Sequence, residues 1–221
     1  MLLRNLSLLA VVTAVLVGSA AADDFMPPQD PANWARGDDG TTYQRWEFDA
    51  NSQVQDNGWW VYDPNEMQNP YGDSRARFQP GIFQPRWIES DFGRNGLLAL
   101  GGVVELDVPN RPELLPFKEI WLQLTWYAEI AQSDPIVSVV IDGQQTPCQG
   151  PVFEESADAN GWMHSVYLMH IEPNPDFEIV RIEGNILLDE IVLDTICAPE
   201  PATLGTLCVA GLWMVLRRRK R

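Results

Sequence analysis

Histidine and cysteine are both scarce in this chain. Its 221 residues hold two histidines and three cysteines, and Cys208 lies inside a C-terminal apolar run. No C-x-x-C pair occurs, so neither a zinc knuckle nor a redox dithiol is encoded. His164 and His170 are six apart, which on one extended strand separates them by about 20 Å, too far to share a metal ion. There is no G-x-S-x-G elbow and no glycine-rich phosphate loop, which excludes the hydrolase and nucleotide-binding classes built on them. Basic residues number 15 against 31 acids, for a net charge of −16. A surface of that sign repels phosphate backbones and excludes nucleic acid as a partner. Internal repeats are missing, which excludes propellers and solenoids. No sustained helical period with start and stop signals occurs between residues 23 and 198.

What is present reads as strands. Thr42 to Asp49 alternates, with Thr42, Gln44, Trp46 and Phe48 on one face. Residues 50–85 carry proline and glycine at intervals that exclude ordinary helices and confine strands to a few residues, and they predict long surface loops with embedded aromatics. From Phe117 to Ile130 the even positions Ile120, Leu122, Leu124, Trp126, Ala128 and Ile130 are apolar, with Lys118, Glu119, Gln123, Thr125 and Glu129 supplying the polar side. Period two over that length predicts a half-buried strand. Further strands are expected at 97–108, bent at Gly101-Gly102, at 136–141 and at 162–171. Phe177 to Ile182 and Ile186 to Ile196, joined by Glu183-Gly184-Asn185, predict a hairpin. With 17 prolines and 16 glycines as punctuation, the fold class is all-β, an antiparallel β-sandwich of jelly-roll type. It occupies residues 41–198, after an extended lead-in at 23–40.

Both ends read as targeting segments. Residues 1–22 have Arg4, an apolar run from Leu6 to Val17 and the small residues Ala20-Ala21-Ala22, the pattern of a secretory signal peptide whose helix is cleaved after Ala22. At the other end, Pro199-Glu200-Pro201 precedes an uncharged run, 202–216, and the basic block Arg217-Arg218-Arg219-Lys220-Arg221. Fifteen residues at 1.5 Å each make a helix of about 22 Å. Snorkelling of Arg217 and local thinning of the bilayer let such a helix span, with the cations held on the cytoplasmic side. The tail at 199–221 resembles a PEP-CTERM sorting signal. That resemblance implies an exported bacterial protein, anchored by a single transmembrane helix and processed by an exosortase-type enzyme. With Arg4 and the terminal cations set aside, the exported domain is more acidic than the whole-chain charge indicates. The closing stretch Ile186 to Thr195 is similar to the end of galactose-binding-like jelly rolls, and it runs almost directly into Pro199.

Candidate chemistry is then weighed within residues 23–198. Acids abound, among them Glu47, Asp49, Glu119, Glu129, Glu154, Glu155, Asp189 and Glu190, but none is singled out as one of the facing pair that a glycoside hydrolase needs. The jelly-roll resemblance implies a structural calcium between an early and the closing strand, for which Glu47, Asp49, Asp189 and Asp194 are the suitable oxygen donors. Trp59, Trp60 and Tyr62 fall in the turn-rich segment, where exposed rings would stack on sugars of an extracellular polysaccharide. Trp46 and Trp126 belong to buried faces. Cys148 and Cys197 are the two cysteines outside the targeting ends, and an oxidising compartment permits a disulfide between them, worth about 3–4 kcal/mol by loop-closure entropy. The expected function is a non-enzymatic cell-surface or matrix protein with a structural, adhesive sandwich. A carbohydrate-binding module and a secreted glycoside hydrolase are the alternatives, and no cofactor beyond calcium is expected.

Overall fold

The computed structural model describes residues 34–52, 54–79, 85–113, 115–129 and 134–198. The signal peptide, most of the lead-in, and the tail with Pro199, Glu200, Pro201 and the basic block lie outside them. The described chain is all-β. Its thirteen strands are β1 (Thr41–Glu47), β2 (Val54–Asp56), β3 (Trp59–Tyr62), β4 (Glu66–Gln68), β5 (Arg75–Gln79), β6 (Arg86–Asp91), β7 (Arg94–Pro109), β8 (Phe117–Ala128), β9 (Ile136–Ile141), β10 (Gln144–Pro147), β11 (Phe153–Ser156), β12 (Met163–Ile171) and β13 (Phe177–Ala198). Every pairing among them is antiparallel.

β13 is the strand that joins the layers. Its second half pairs with β8 on one side and β1 on the other. Its first half pairs with β7 and β9. One layer therefore runs β11-β12-β8-β13-β1-β4, and the other runs from β10 and β9 through β13 and β7 to β5, β3 and β2. The expected hairpin at 183–185 does not form. Gly184 lies opposite Gly102 and Asn185 opposite Gly101, in an unbroken ladder. Three glycines at that crossing let two long strands bend together from one layer into the other, which is the use of glycine at a sheet corner rather than in a turn. A register shift between Leu188 and Glu190 adds a bulge there, which sharpens the local twist.

The inward faces of both layers make one core. Trp46, Ile120, Leu122, Leu124, Ile191 and Leu193 meet Ala76, Phe78, Val104, Leu106, Val180 and Ile182 across it. Phe48, Tyr62 and Phe78 pack edge to face, with centroids 5.4–6.0 Å apart, the arrangement that aromatic quadrupoles favour. The expected core positions Trp46 and Trp126 are buried. β8, however, is not half-buried. Its odd positions Trp121, Gln123 and Thr125 are buried too, with Trp34 packed over Trp121, Val166 and Ile196. Trp34 thus anchors the end of the lead-in, and its indole nitrogen donates to Glu119 Oε2 at 3.1 Å. A further apolar cluster, Leu97, Ala99, Trp162 and Leu187, forms away from the main core. Residues 50–85 hold β2 to β5, short strands of the length that the proline and glycine spacing allows. Lys118, expected beside Glu119 on the polar side, points inward and is fully buried.

Gly40 fixes where the lead-in meets the end of β13. It adopts φ +85°, and its carbonyl accepts the Cys197 amide at 3.0 Å. A Cβ there would collide with the Cys197 carbonyl oxygen. Replacing Phe78, which has no exposed surface, by alanine removes the hub of the aromatic triad. We expect a loss of about 3–5 kcal/mol in urea unfolding, set by lost burial plus the cavity left behind.

Candidate functional site

The residues singled out as sugar contacts sit on β3, and the pleat divides them. Trp60 and Tyr62 lie opposite Phe78 and Ala76 on β5, and Val61 lies opposite Arg77. Tyr62 is 2% exposed, and burial pushes its phenol up to about 12. Trp60 packs against the core. Trp59 alone is turned to the outer face, where the Arg77 guanidinium lies 5.5 Å from its ring centroid. The three-ring platform is therefore not present, because a period-two strand cannot show neighbouring residues on one face. Around Trp59 the outer face carries a cross-strand charge row, with Arg77 opposite Glu105 and Glu105 opposite Arg181. Arg77 reaches Asp107 at 2.7 Å and Arg181 reaches Glu105 at 3.5 Å.

Of the four carboxylates expected to hold calcium, three are taken by arginines, and Asp49 is exposed just past the end of β1. Asp194 is fully buried and takes both arms of Arg36, at 2.5 and 2.8 Å. Asp189 at the bulge is bound by Arg94, which also approaches Asp158 at 3.4 Å. Glu47 lies 3.3 Å from Arg45. A carboxylate held this way has already exchanged its hydration for a charge-assisted partner. Among the described residues no group of three His, Cys, Asp or Glu side chains is placed to hold a metal ion.

One pair of acids does face across strands, Glu47 on β1 and Glu190 on β13. Arg45 fills the space around them, 2.9 Å from Glu66 and 3.9 Å from Glu190. Burial is the largest cause that raises the Glu47 carboxyl above its ordinary 4.5; Arg45 opposes this, and Asp49, Glu66 and Asp189 add to it. The Arg45 guanidinium thus sits among these acids as their shared counter-ion. Glu154 is likewise engaged, by the Ser165 hydroxyl at 2.8 Å.

The clearest concave surface is a cleft of about 550 Å³ between β9-β10 and the end of β12, with Ile141, Cys148, Val152, Leu168 and His170 in its walls. His170 stacks on Phe117 with centroids 5.1 Å apart. Its Nε2 is 2.9 Å from Glu172 and its Nδ1 3.7 Å from Glu119. The Cys148 thiol instead faces the Gly150 and Leu168 carbonyl oxygens, both at 3.7 Å. Thiol and imidazole are thus not arranged as nucleophile and base. The expected disulfide is not formed either: both cysteines are free, and the Cys197 thiol is 3.3 Å from Asn174 Oδ1. Cys197 lies at the end of β13 and Cys148 just after β10, each with its own oxygen neighbours. His164 is buried beside Thr125 and His170 is half exposed, so the two histidines do not share a site.

No protein-family model matches the sequence and no curated protein matches it. Among solved structures, the crystal structure of murine APRIL at pH 8.5 aligns over 71% of this chain and 98% of that chain, with 10% identity and a TM-score of 0.28. A likeness at that level says nothing about function.

Two outcomes follow from the carboxylates. A carboxyl whose folded pKa is raised binds protons more readily in the folded state, so stability falls as pH rises through the window above 4.5. Glu47→Gln should therefore be more stable than the parent at pH 7, with the difference closing toward pH 4, in paired thermal melts. Because three of the four calcium donors, Glu47, Asp189 and Asp194, are engaged by arginines, millimolar calcium should move the melting temperature by less than about 1 °C. A large upward shift would restore the calcium reading.

Proposed function

We propose that this is an exported, non-enzymatic surface or matrix protein, sorted through its Pro-Glu-Pro tail, in which a jelly-roll-type sandwich is a structural and adhesive module. The observation that carries the reading is the continuity of β13 with the tail. Its last residue, Ala198, lies opposite Phe117 on β8, and Ile196 lies opposite Thr41 on β1. Pro199 is the next residue. A pull on the tail enters a strand hydrogen-bonded on both sides, so the ladder is loaded in shear and must slip as a unit. That suits a domain whose task is to hold. The signal peptide, the transmembrane helix at 202–216 and the processing enzyme belong to this proposal on the strength of the sequence pattern.

Arginines close off the acid clusters, which supports a structural role over hydrolysis. Intact-mass analysis of protein recovered from the cell surface or medium tests the address. A mature form beginning at Asp23 and ending near Glu200 is expected. Surface protein that retains Arg217 to Arg221, or accumulation of the full chain inside the cell, would overturn it.

A further inference from the structure

Three strands end their core-facing rows on a polar residue. Asn110 follows Val104, Leu106 and Val108; Lys118 precedes Ile120, Leu122 and Leu124; Glu178 precedes Val180 and Ile182. Period two sends each of these polar side chains inward with the apolar residues of its own row. Lys118 and Glu178 have no exposed surface and Asn110 is 7% exposed. Inside, the Lys118 ammonium meets Glu178 Oε1 and also Asn110 Oδ1. The Asn110 amide nitrogen donates to Glu178 Oε2 and to the Pro175 carbonyl oxygen, the latter at 2.8 Å. One carboxylate thus touches an amine with one oxygen and a carboxamide nitrogen with the other.

We propose that Lys118 and Asn110 react within the folded protein to form an intramolecular isopeptide bond, with Glu178 moving the protons. The Lys118 ammonium first passes a proton to Glu178, leaving a neutral amine beside a neutral acid. The Nζ lone pair attacks Asn110 Cγ, forming the new C–N bond and a tetrahedral centre. Glu178 delivers its proton to Nδ2 and takes the second proton from Nζ as the Cγ–Nδ2 bond breaks. Ammonia leaves, an amide joins Nζ to Cγ, and Glu178 remains protonated. No oxidant, reductant or added reagent is needed.

The surroundings favour each step. Burial pushes the Glu178 carboxyl up against the opposing pull of Lys118 and Asn110, which is the direction that makes proton transfer from the ammonium accessible. Two ions out of water carry a desolvation penalty that their attraction only partly offsets, and the neutral product relieves it. Fixed contact between amine and carboxamide replaces an encounter in solution, an effect that reaches about 10⁵–10⁸ M in effective concentration. The Pro175 carbonyl orients the leaving nitrogen. Cys197 is nearby, but its thiol faces Asn174 rather than the Asn110 carboxamide.

The bond would also have a definite mechanical place. Asn110 continues β7, in the layer with β5 and β9, whereas Lys118 is the second residue of β8, in the layer with β12. Lys118 lies opposite Cys197, one residue before the end of β13. The link therefore staples the two layers at the end of the sandwich from which the tail departs. It does not depend on how that tail is sorted.

Intact-mass spectrometry of the denatured, purified protein reads the reaction directly. The parent should be lighter than its sequence mass by one ammonia, while Lys118→Arg and Glu178→Gln should keep the full mass. Cleavage of the parent after Glu105, Glu113 and Glu119 should leave segments 106–113 and 114–119 joined in one cross-linked species. Parent protein at full sequence mass, with the two segments released separately, overturns the proposal. So does loss of ammonia at Asn110 with separate segments, the signature of a succinimide. The parent measurement decides the matter even if a variant fails to fold.

Discussion

The backbone ladder of β13 is the constraint on which the rest depends. A single strand of 22 residues is shared by both layers, so the register of β1, β7, β8 and β9 is referred to one template. A slip of one residue anywhere along it would exchange the core-facing and outward-facing sets of every neighbour. The bend that makes this sharing possible falls where Gly184 and Asn185 oppose Gly102 and Gly101. The bulge at Asp189 then turns a carboxylate out of the ladder and toward Arg94.

Charge is managed in two ways around that template. Outside the core, arginines gather the acids. Arg36 takes Asp194, Arg94 takes Asp158 and Asp189, Arg45 lies among Glu47, Glu66 and Glu190, and Arg77 lies between Glu105 and Asp107. The planar guanidinium can serve several carboxylates at once, which a point-charge ammonium does less well. Inside the core a lysine is used instead, and it sits against a carboxylate and a carboxamide. Lysine, unlike arginine, can give up its proton and act as a nucleophile.

These features suit a domain built for holding. β13 leads directly to Pro199, β8 flanks it to its last residue and β1 to Ile196, and the proposed amide closes the same end covalently. Among the candidate acids, Glu47, Asp189 and Glu190 lie beside arginines, and Glu154 accepts from Ser165. The aromatic residues that a sugar platform would use are divided between core and surface by the strand pleat.

The composition and alternation by themselves determined an all-β sandwich, the burial of Trp46 and Trp126, and the absence of helices from the described chain. Local period and turn chemistry are properties of neighbouring residues, so one sequence is enough to read them. Turn residues around Trp60 and Tyr62 point to an exposed loop, yet the same period-two rule sends both rings inward once β3 exists. At Gly184 the ambiguity is of another kind. A glycine-asparagine pair serves a turn or a corner equally well, and only the pairing with Gly101 and Gly102 decides between them. Arginine partners such as Arg36 for Asp194 lie 158 positions apart, beyond any local pattern. The parity of Asn110, Lys118 and Glu178 was visible along each strand, but that three separate rows end at one point is a fact of the layers alone. Tertiary structure decided it, because only packing can bring an amine, an amide and a carboxylate together out of water.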